Sequence, residues 1–292
     1  MGWRKRKGCP SKVELLMAQK GFDYEKNLYY CLKKDKLVAG NPPAGEDIAA
    51  GRPDIEIKLA SQPDTKKEGC ELKLAPTAGG SLVMKYTDGK WMFDPKAKNK
   101  KEAVFMMAVA KKANLLREMN TSGTYGNNWR GKTPFLQNDA NGGKIVTGGV
   151  KDKREAYAKD IKQFGGQNEI KIPVPAKVMC DYYNLKKTHY LNVASHGFYL
   201  MNTRDPLKLN NGIKGQKIPD FANSASLKIR VRCQPKGGGD YQFAMTLEFG
   251  GVRHSPYNIG PIVSPKVVEI DKRALFTDKN KPLLDQFGYE EK

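Results

Sequence analysis

The sequence predicts a mixed α/β fold of the α+β kind, a sheet flanked by helices with a β-rich C-terminal part. Three observations predict it. Polar and apolar residues alternate over Asp54–Leu59 and again over Cys70–Leu74, the two-residue period of strands with one buried face. Residues 99–119 instead space Phe105, Ala108, Val109, Leu115, Leu116 and Met119 along one side of a helix. The last third carries three further strand-like runs, Tyr190–Met201, Leu227–Cys233 and Tyr241–Phe249.

The elements follow in chain order. Residues 11–38 read as helical: Ser11 with Glu14 makes a capping-box pattern behind Pro10, and Gly21 divides the stretch in two. Leu15, Leu16 and Ala18 give the first helix an apolar side, as Leu28, Tyr29 and Leu32 do the second. Gly40–Gly45 is a loop on composition. The runs at 54–59 and 70–74 are joined by a polar segment holding the turn-forming pair Pro63-Asp64, so they form a hairpin. Ser81–Tyr86 and Lys90–Phe93 pair across Asp88-Gly89. The 99–119 helix begins at a capping Asn99, with Glu102 three residues on. Residues 120–149, rich in Gly, Asn and Thr around Trp129-Arg130, read as a long loop, functional or mobile. In Leu227–Cys233, Lys228, Arg230 and Arg232 alternate with Ile229, Val231 and Cys233, giving the strand one cationic and one apolar face. The expected division is a core with N-terminal helices over 1–120, a loop-rich insertion over 121–165, and a β-rich remainder with a recognition region over 166–292.

Charge narrows the partner. Against 31 Asp and Glu the 292 residues hold 51 Lys and Arg, a net charge of +20. So basic a chain points to a polyanion, nucleic acid first, because each neutralised phosphate releases condensed counterion. A merely solvated basic surface is the plain alternative. A membrane is not expected: no lysine-faced amphipathic helix or lipidation signal stands out, no apolar run is long enough to span, and the start does not resemble a secretory signal. A hydrophobic fraction of 39% excludes wholesale disorder. Cys9, Cys31, Cys70, Cys180 and Cys233 are scattered and odd in number, and only His189, His196 and His254 could join them at zinc. Reduced thiols and a cytoplasmic location are therefore expected, and histidine-based catalysis is disfavoured.

The chemistry concentrates in the first hairpin. Strand geometry puts Asp54 and Glu56 on one face of the first strand and Glu71 and Lys73 on one face of the second, with Ile55, Ile57, Leu72 and Leu74 toward the core. A turn centred near Gln62-Pro63 sets Asp54 across from Glu71. Two facing carboxylates repel unless a cation neutralises them, and hard oxygen donors favour Mg²⁺ or Mn²⁺. A lysine two residues beyond Glu71 can meet both an attacking water and a phosphate oxygen. Together these suit phosphodiester hydrolysis.

Pro53-Asp54 followed by Glu71-Leu72-Lys73 resembles the PD-(D/E)xK nuclease superfamily, which includes most type II restriction endonucleases. Leu74, Ala78-Gly79, Ser81-Leu82, Lys85-Tyr86 and Gly89-Lys90-Trp91 resemble the stretch following this motif in some restriction enzymes, so the likeness covers mainly 51–93. Gly197–Leu200 and the basic strand at Lys228–Arg232 add short C-terminal likenesses. The resemblance implies a restriction-endonuclease-like mixed sheet core. It makes Asp54, Glu71 and the Leu72 carbonyl the ligands of Mg²⁺ (Mn²⁺ substituting), with Lys73 positioning or helping to deprotonate the water. The implied activity is site-specific cleavage of double-stranded DNA to 5′-phosphate ends, by a homodimer accompanied by a cognate DNA methyltransferase. Arg130, Lys228, Arg230 and Arg232 are the expected DNA contacts, with Asn127, Asn128 and Gln137 as further residues able to reach base edges.

Alternatives stay open at this point. Pro63-Asp64 ahead of Glu71-Leu72-Lys73 also resembles the shorter hairpin of the mismatch-repair nicking endonuclease, which would make Asp64 the metal-binding aspartate. Glu56 is a supplementary ligand candidate, and Glu14 a helix carboxylate that a cap explains equally well. Repair or junction nicking, or non-catalytic nucleic-acid binding, are the competing functions. Asp54→Ala and Asp64→Ala separate the two registers: cleavage assays should show loss in the first variant and retention in the second.

Overall fold

The computed structural model describes residues 23–33, 38, 54–58, 67–74, 78–95, 97, 101–139, 142–194, 196–212, 217–236 and 239–255. Within them the chain is mixed α+β and divides into two compact units that interleave in sequence. One comprises Thr77–Tyr182 and Ser226–Gly250, and the other the described parts of Leu16–Pro76, of Tyr183–Ala225 and of the residues from Gly251 on. The divisions between these units fall at 76/77, 182/183, 225/226 and 250/251. Sheet pairing, not sequence proximity, sets the boundaries, because strands far apart in the chain share one ladder.

The first unit is built on an antiparallel five-stranded sheet. Its strands are β3 (Ala78–Thr87), β4 (Lys90–Phe93), β7 (Ile170–Val174), β10 (Ser226–Lys236) and β11 (Asp240–Gly250), in the order β4-β3-β11-β10-β7. The β3–β4 turn is as expected: Asp88 and Gly89 both take positive φ, 50° and 75°, as a two-residue hairpin turn requires. β10 buries Leu227, Ile229, Val231 and Cys233, while Lys228, Arg230 and Arg232 lie on the half-exposed face. The expected helix at 99–119 is two, α2 (Lys101–Lys112) and α3 (Leu115–Asn120), because Asn114 turns left-handed at φ 54° between them. Asn99 lies outside the described residues.

The stretch expected as a loop at 120–149 is anchored. Trp129 is wholly buried against Trp91, Phe164 and Phe243, with ring centroids 5.0, 4.7 and 5.8 Å away. Beyond it β5 (Leu136–Asn138) and β6 (Lys144–Val146) form a small hairpin. The buried Asp160 of α4 (Lys153–Phe164) accepts hydrogen bonds from Phe135 N, Leu136 N and Tyr241 Oη at 2.9, 3.0 and 2.6 Å, pinning that hairpin's entry. α4 was not foreseen, although its start carries a reciprocal cap: Asp152 accepts from Arg154 N and Glu155 N, and Glu155 from Lys151 N.

The second unit holds a four-stranded mixed sheet of β1 (Ile55–Ile57), β2 (Glu68–Lys73), β8 (Thr188–Val193) and β9 (Gly197–Leu200), in that order. β1 runs antiparallel to β2, β2 parallel to β8, and β8 antiparallel to β9. The single strand expected at 190–201 is thus a hairpin, β8–β9. Helix α1, residues 23–33, is the described part of the 11–38 stretch, and Ser11, Glu14 and Gly21 lie outside the described residues. Tyr24, Leu28 and Leu32 of α1 close a core with Ile55, Ile57, Cys70, Leu72, Tyr190 and Phe198.

α5 (Lys177–Asn184) leads into β8. Among the described residues Cys31, Cys70, Cys180 and Cys233 form no disulfide, and no helix is long and apolar enough to cross a membrane. Trp129→Ala should lower unfolding free energy by about 3–5 kcal/mol, measured by urea denaturation; a mobile 120–149 loop would give no change.

Candidate metal and phosphate site

The hairpin register is the one the alternation requires. Ile55 faces Cys70, Glu56 faces Gly69 and Ile57 faces Glu68, so the next position sets Asp54 opposite Glu71. At that position the β1 ladder has ended, and the Asp54 side chain supplies the acceptor that a further strand residue would have offered. Leu72 N–H donates to Asp54 Oδ2 at 2.7 Å. The N–H and C=O of one strand residue point to the same edge. The Leu72 carbonyl therefore faces the edge that Asp54 occupies, whereas the Lys73 carbonyl faces the other way and accepts from Ala194 N at 2.8 Å.

Burial sharpens this pair. Isoleucines 55 and 57 and Leu72 face the core as expected, but the charged side of β2 is covered as well: Glu71 is only 4% exposed. Lys73 Nζ donates to Glu71 Oε1 at 2.6 Å, and Glu71 Oε2 is buried with no hydrogen-bond partner. An unpaired buried carboxylate oxygen is costly, and a cation is the natural complement.

Electrostatics agree. Burial, then the charge of Glu71, pushes the Asp54 carboxyl up to about 6, against the opposing pull of Lys73, the Leu72 N–H and Lys186. Glu25 joins them from α1. Tyr24 Oη donates to Asn192 Oδ1 of β8, which fixes the helix against the sheet and brings the next residue to the acidic cluster. Burial, then Asp54 and Glu71, raises the Glu25 carboxyl to about 7, with Lys73 lowering it. Glu25 was missed in sequence. Its one signal is its place beside the Tyr24–Leu28–Leu32 apolar stripe, which sets it at that stripe's rim.

The other expected residues fall elsewhere. Glu56 is exposed and pairs with Lys67 at 3.4 Å, away from the ladder end that joins Asp54 to Glu71. Asp64 and Glu14 lie outside the described residues. Arg130 donates to Gly123 O at 2.7 Å and to Asn127 Oδ1, and Gln137 Nε2 to Thr147 Oγ1 at 2.8 Å, so both are engaged within their own segment. Asn128 is exposed. On β10 the cationic face is largely neutralised: Arg230 clamps Glu169 at 2.7 and 3.0 Å and reaches Glu248 at 2.9 Å, and Lys228 lies 3.5 Å from Glu248. Arg232 is half-buried, with its Nε lacking a hydrogen-bond partner.

Among the described residues no group of three or more His, Cys, Asp or Glu side chains is arranged to hold a metal. Asp54, Glu71 and the Leu72 carbonyl are the oxygens that could hold a hard cation such as Mg²⁺, which keeps several waters and takes one or two carboxylates plus phosphate oxygens. No protein-family model, curated protein or solved structure matches this chain.

Because Asp54 and Glu25 are raised to about 6 and about 7, the folded state holds protons that the unfolded chain, with carboxyls near 4, has released. The sign follows: stability contributed by this cluster falls as pH rises from about 4 through 7. A divalent cation must displace those protons, so Mn²⁺ should raise the melting temperature more at about pH 8 than at about pH 5.5. Equal shifts by scanning calorimetry at both pH values would remove the cation from this site.

Proposed function

We propose that this chain is a metal-dependent double-stranded DNA endonuclease of the PD-(D/E)xK type. One observation carries the reading: Asp54 stands across from Glu71 at the open end of a ladder, beside a buried, unpaired carboxylate oxygen and the Lys73 ammonium. The order of β1, β2 and β8, antiparallel then parallel, with α1 packed on the sheet, supports a restriction-endonuclease-like core.

In this reading Asp54, Glu71 and the Leu72 carbonyl would hold Mg²⁺, or Mn²⁺ in its place, and Glu25 adds negative charge from α1. A bound ion would supply Lewis acidity toward a phosphoryl oxygen and water. Lys73, fixed by Glu71, presents an ammonium to the attacking water and to a non-bridging phosphate oxygen, where it stabilises developing negative charge. The water oxygen bonds to phosphorus and releases a proton to solvent, while the bond from phosphorus to O3′ breaks and O3′ takes up a proton from solvent. The products are a 5′-phosphate and a 3′-hydroxyl. Burial of Asp54 and Glu71 keeps these charges in a low-dielectric setting, where each counts for more than in bulk water.

A restriction enzyme acting on a symmetric sequence works as a homodimer and requires a cognate DNA methyltransferase in the same cell. Both partners belong to this proposal, as does the DNA itself, which the net charge of +20 favours.

Incubation with plasmid and Mg²⁺ should yield discrete linear fragments with 5′-phosphate ends, abolished by EDTA. Nicks confined to mismatched or branched substrates would shift the reading to repair. Lys73→Ala should cut at least roughly 100-fold more slowly, while DNA binding by anisotropy survives. Wild-type turnover in Lys73→Ala, or cleavage indifferent to EDTA, would overturn the proposal.

A further inference from the structure

The turn between α5 and β8 stands beside the acidic cluster. Lys186 N–H donates to Tyr183 C=O at 2.9 Å and Lys187 N–H to Asn184 C=O at 3.0 Å, and Lys187 takes a left-handed φ of 57°. The turn is therefore defined by its own backbone. Tyr183, the residue it closes on, is wholly buried. Two ammoniums share that ring: Lys73 Nζ lies 5.9 Å from its centroid and Lys186 Nζ 5.6 Å. The attraction of a cation to an aromatic face favours each position, so the ring lies within reach of two positive charges. The charge of Lys186 also reaches Asp54, whose ionised form it favours.

The two ammoniums do different work. Lys73 is committed to Glu71 at 2.6 Å and belongs to the reacting phosphate. Lys186 enters from another element, half-exposed, with Lys187 exposed beside it. A half-exposed cation beside a phosphate-cleaving centre meets whatever polyanion is drawn there. Its attraction to the Tyr183 ring favours positions near that ring, which lowers the ordering cost of a contact there.

We infer that Lys186 is a substrate-binding residue, pairing with a backbone phosphate of the DNA strand bound at the Asp54–Glu71–Lys73 site. This rests on the nuclease reading for the identity of the strand, and it adds a positioning contact that the motif residues do not contain. A lysine–phosphate pair positions the duplex without reading its sequence, so the contact serves every site the enzyme cuts.

The test is duplex binding in Ca²⁺, followed by anisotropy over a range of salt, for wild type, Lys186→Ala, Lys186→Arg and Lys73→Ala. Loss of one phosphate contact lowers the slope of log K against log salt by about 0.9. Lys186→Ala should show that loss with Kd weakened by about 10-fold, and in Mg²⁺ a raised KM with kcat changed less. Lys186→Arg should restore the slope. The far-ultraviolet circular dichroism spectrum should match wild type, which shows an intact fold. A wild-type slope and Kd in Lys186→Ala overturn the inference and leave the nuclease reading standing. Binding without cleavage by the wild-type chain overturns the nuclease reading, while the slope still judges Lys186. A chain that neither binds nor cuts duplex DNA overturns both.

Discussion

Two carboxyl groups facing each other at the end of a ladder, one almost wholly buried, cannot both stay ionised without a positive partner. That repulsion organises the second unit. Lys73 answers one oxygen of Glu71, the Leu72 N–H answers one oxygen of Asp54, and the remaining Glu71 oxygen is answered by nothing among the described residues. A fold that holds such a pair in place does so through its hydrophobic underside. Ile55, Ile57 and Leu72, packed against α1, fix the strands, so the acidic groups cannot swing apart to relieve their repulsion. The pair is costly to bury, and the proposed cation, together with the phosphate it would bring, offsets that cost.

The first unit handles charge in the opposite way. On β10 the alternating cations meet Glu169 and Glu248, and Arg230 forms a bidentate clamp. A guanidinium already matched to a carboxylate on one side and a second on the other has much of its charge neutralised within the protein. The contrast is physical: one sheet leaves an anionic oxygen unanswered, while the other pairs most of its cations internally. Outside β10, Lys186 and Lys187 bring positive charge to the turn beside the proposed site.

The legible parts of the fold share a cause. The 54–71 register followed from a period of two, since a slip of one residue would have sent Ile55 and Ile57 to the wrong face. The Asp88-Gly89 turn followed from the few residues that accept two positive φ angles. The misread parts depended on distant partners. Residues 120–149 look like a loop in composition, yet Trp129 finds its pocket among Trp91, Phe164 and Phe243, none of them near it in sequence. The 99–119 helix breaks at Asn114, where local propensity alone carries no strong signal. The run at 190–201 is largely apolar, and periodicity does not mark where such a run folds back on itself.

At the candidate site the same line divides what was read from what was missed. Spacing, with a turn placed near Gln62-Pro63, set Asp54 across from Glu71 and Lys73 two residues on, because strand geometry then converts separation along the chain into position. Packing settled the rest: that Glu71 is buried on its charged side, that Glu25 rather than Glu56 approaches the pair, and that Tyr183 carries two ammoniums. Those outcomes depend on which helix lies on which strand. That choice is a contest among all the apolar surfaces of the chain at once, and no local pattern records its result.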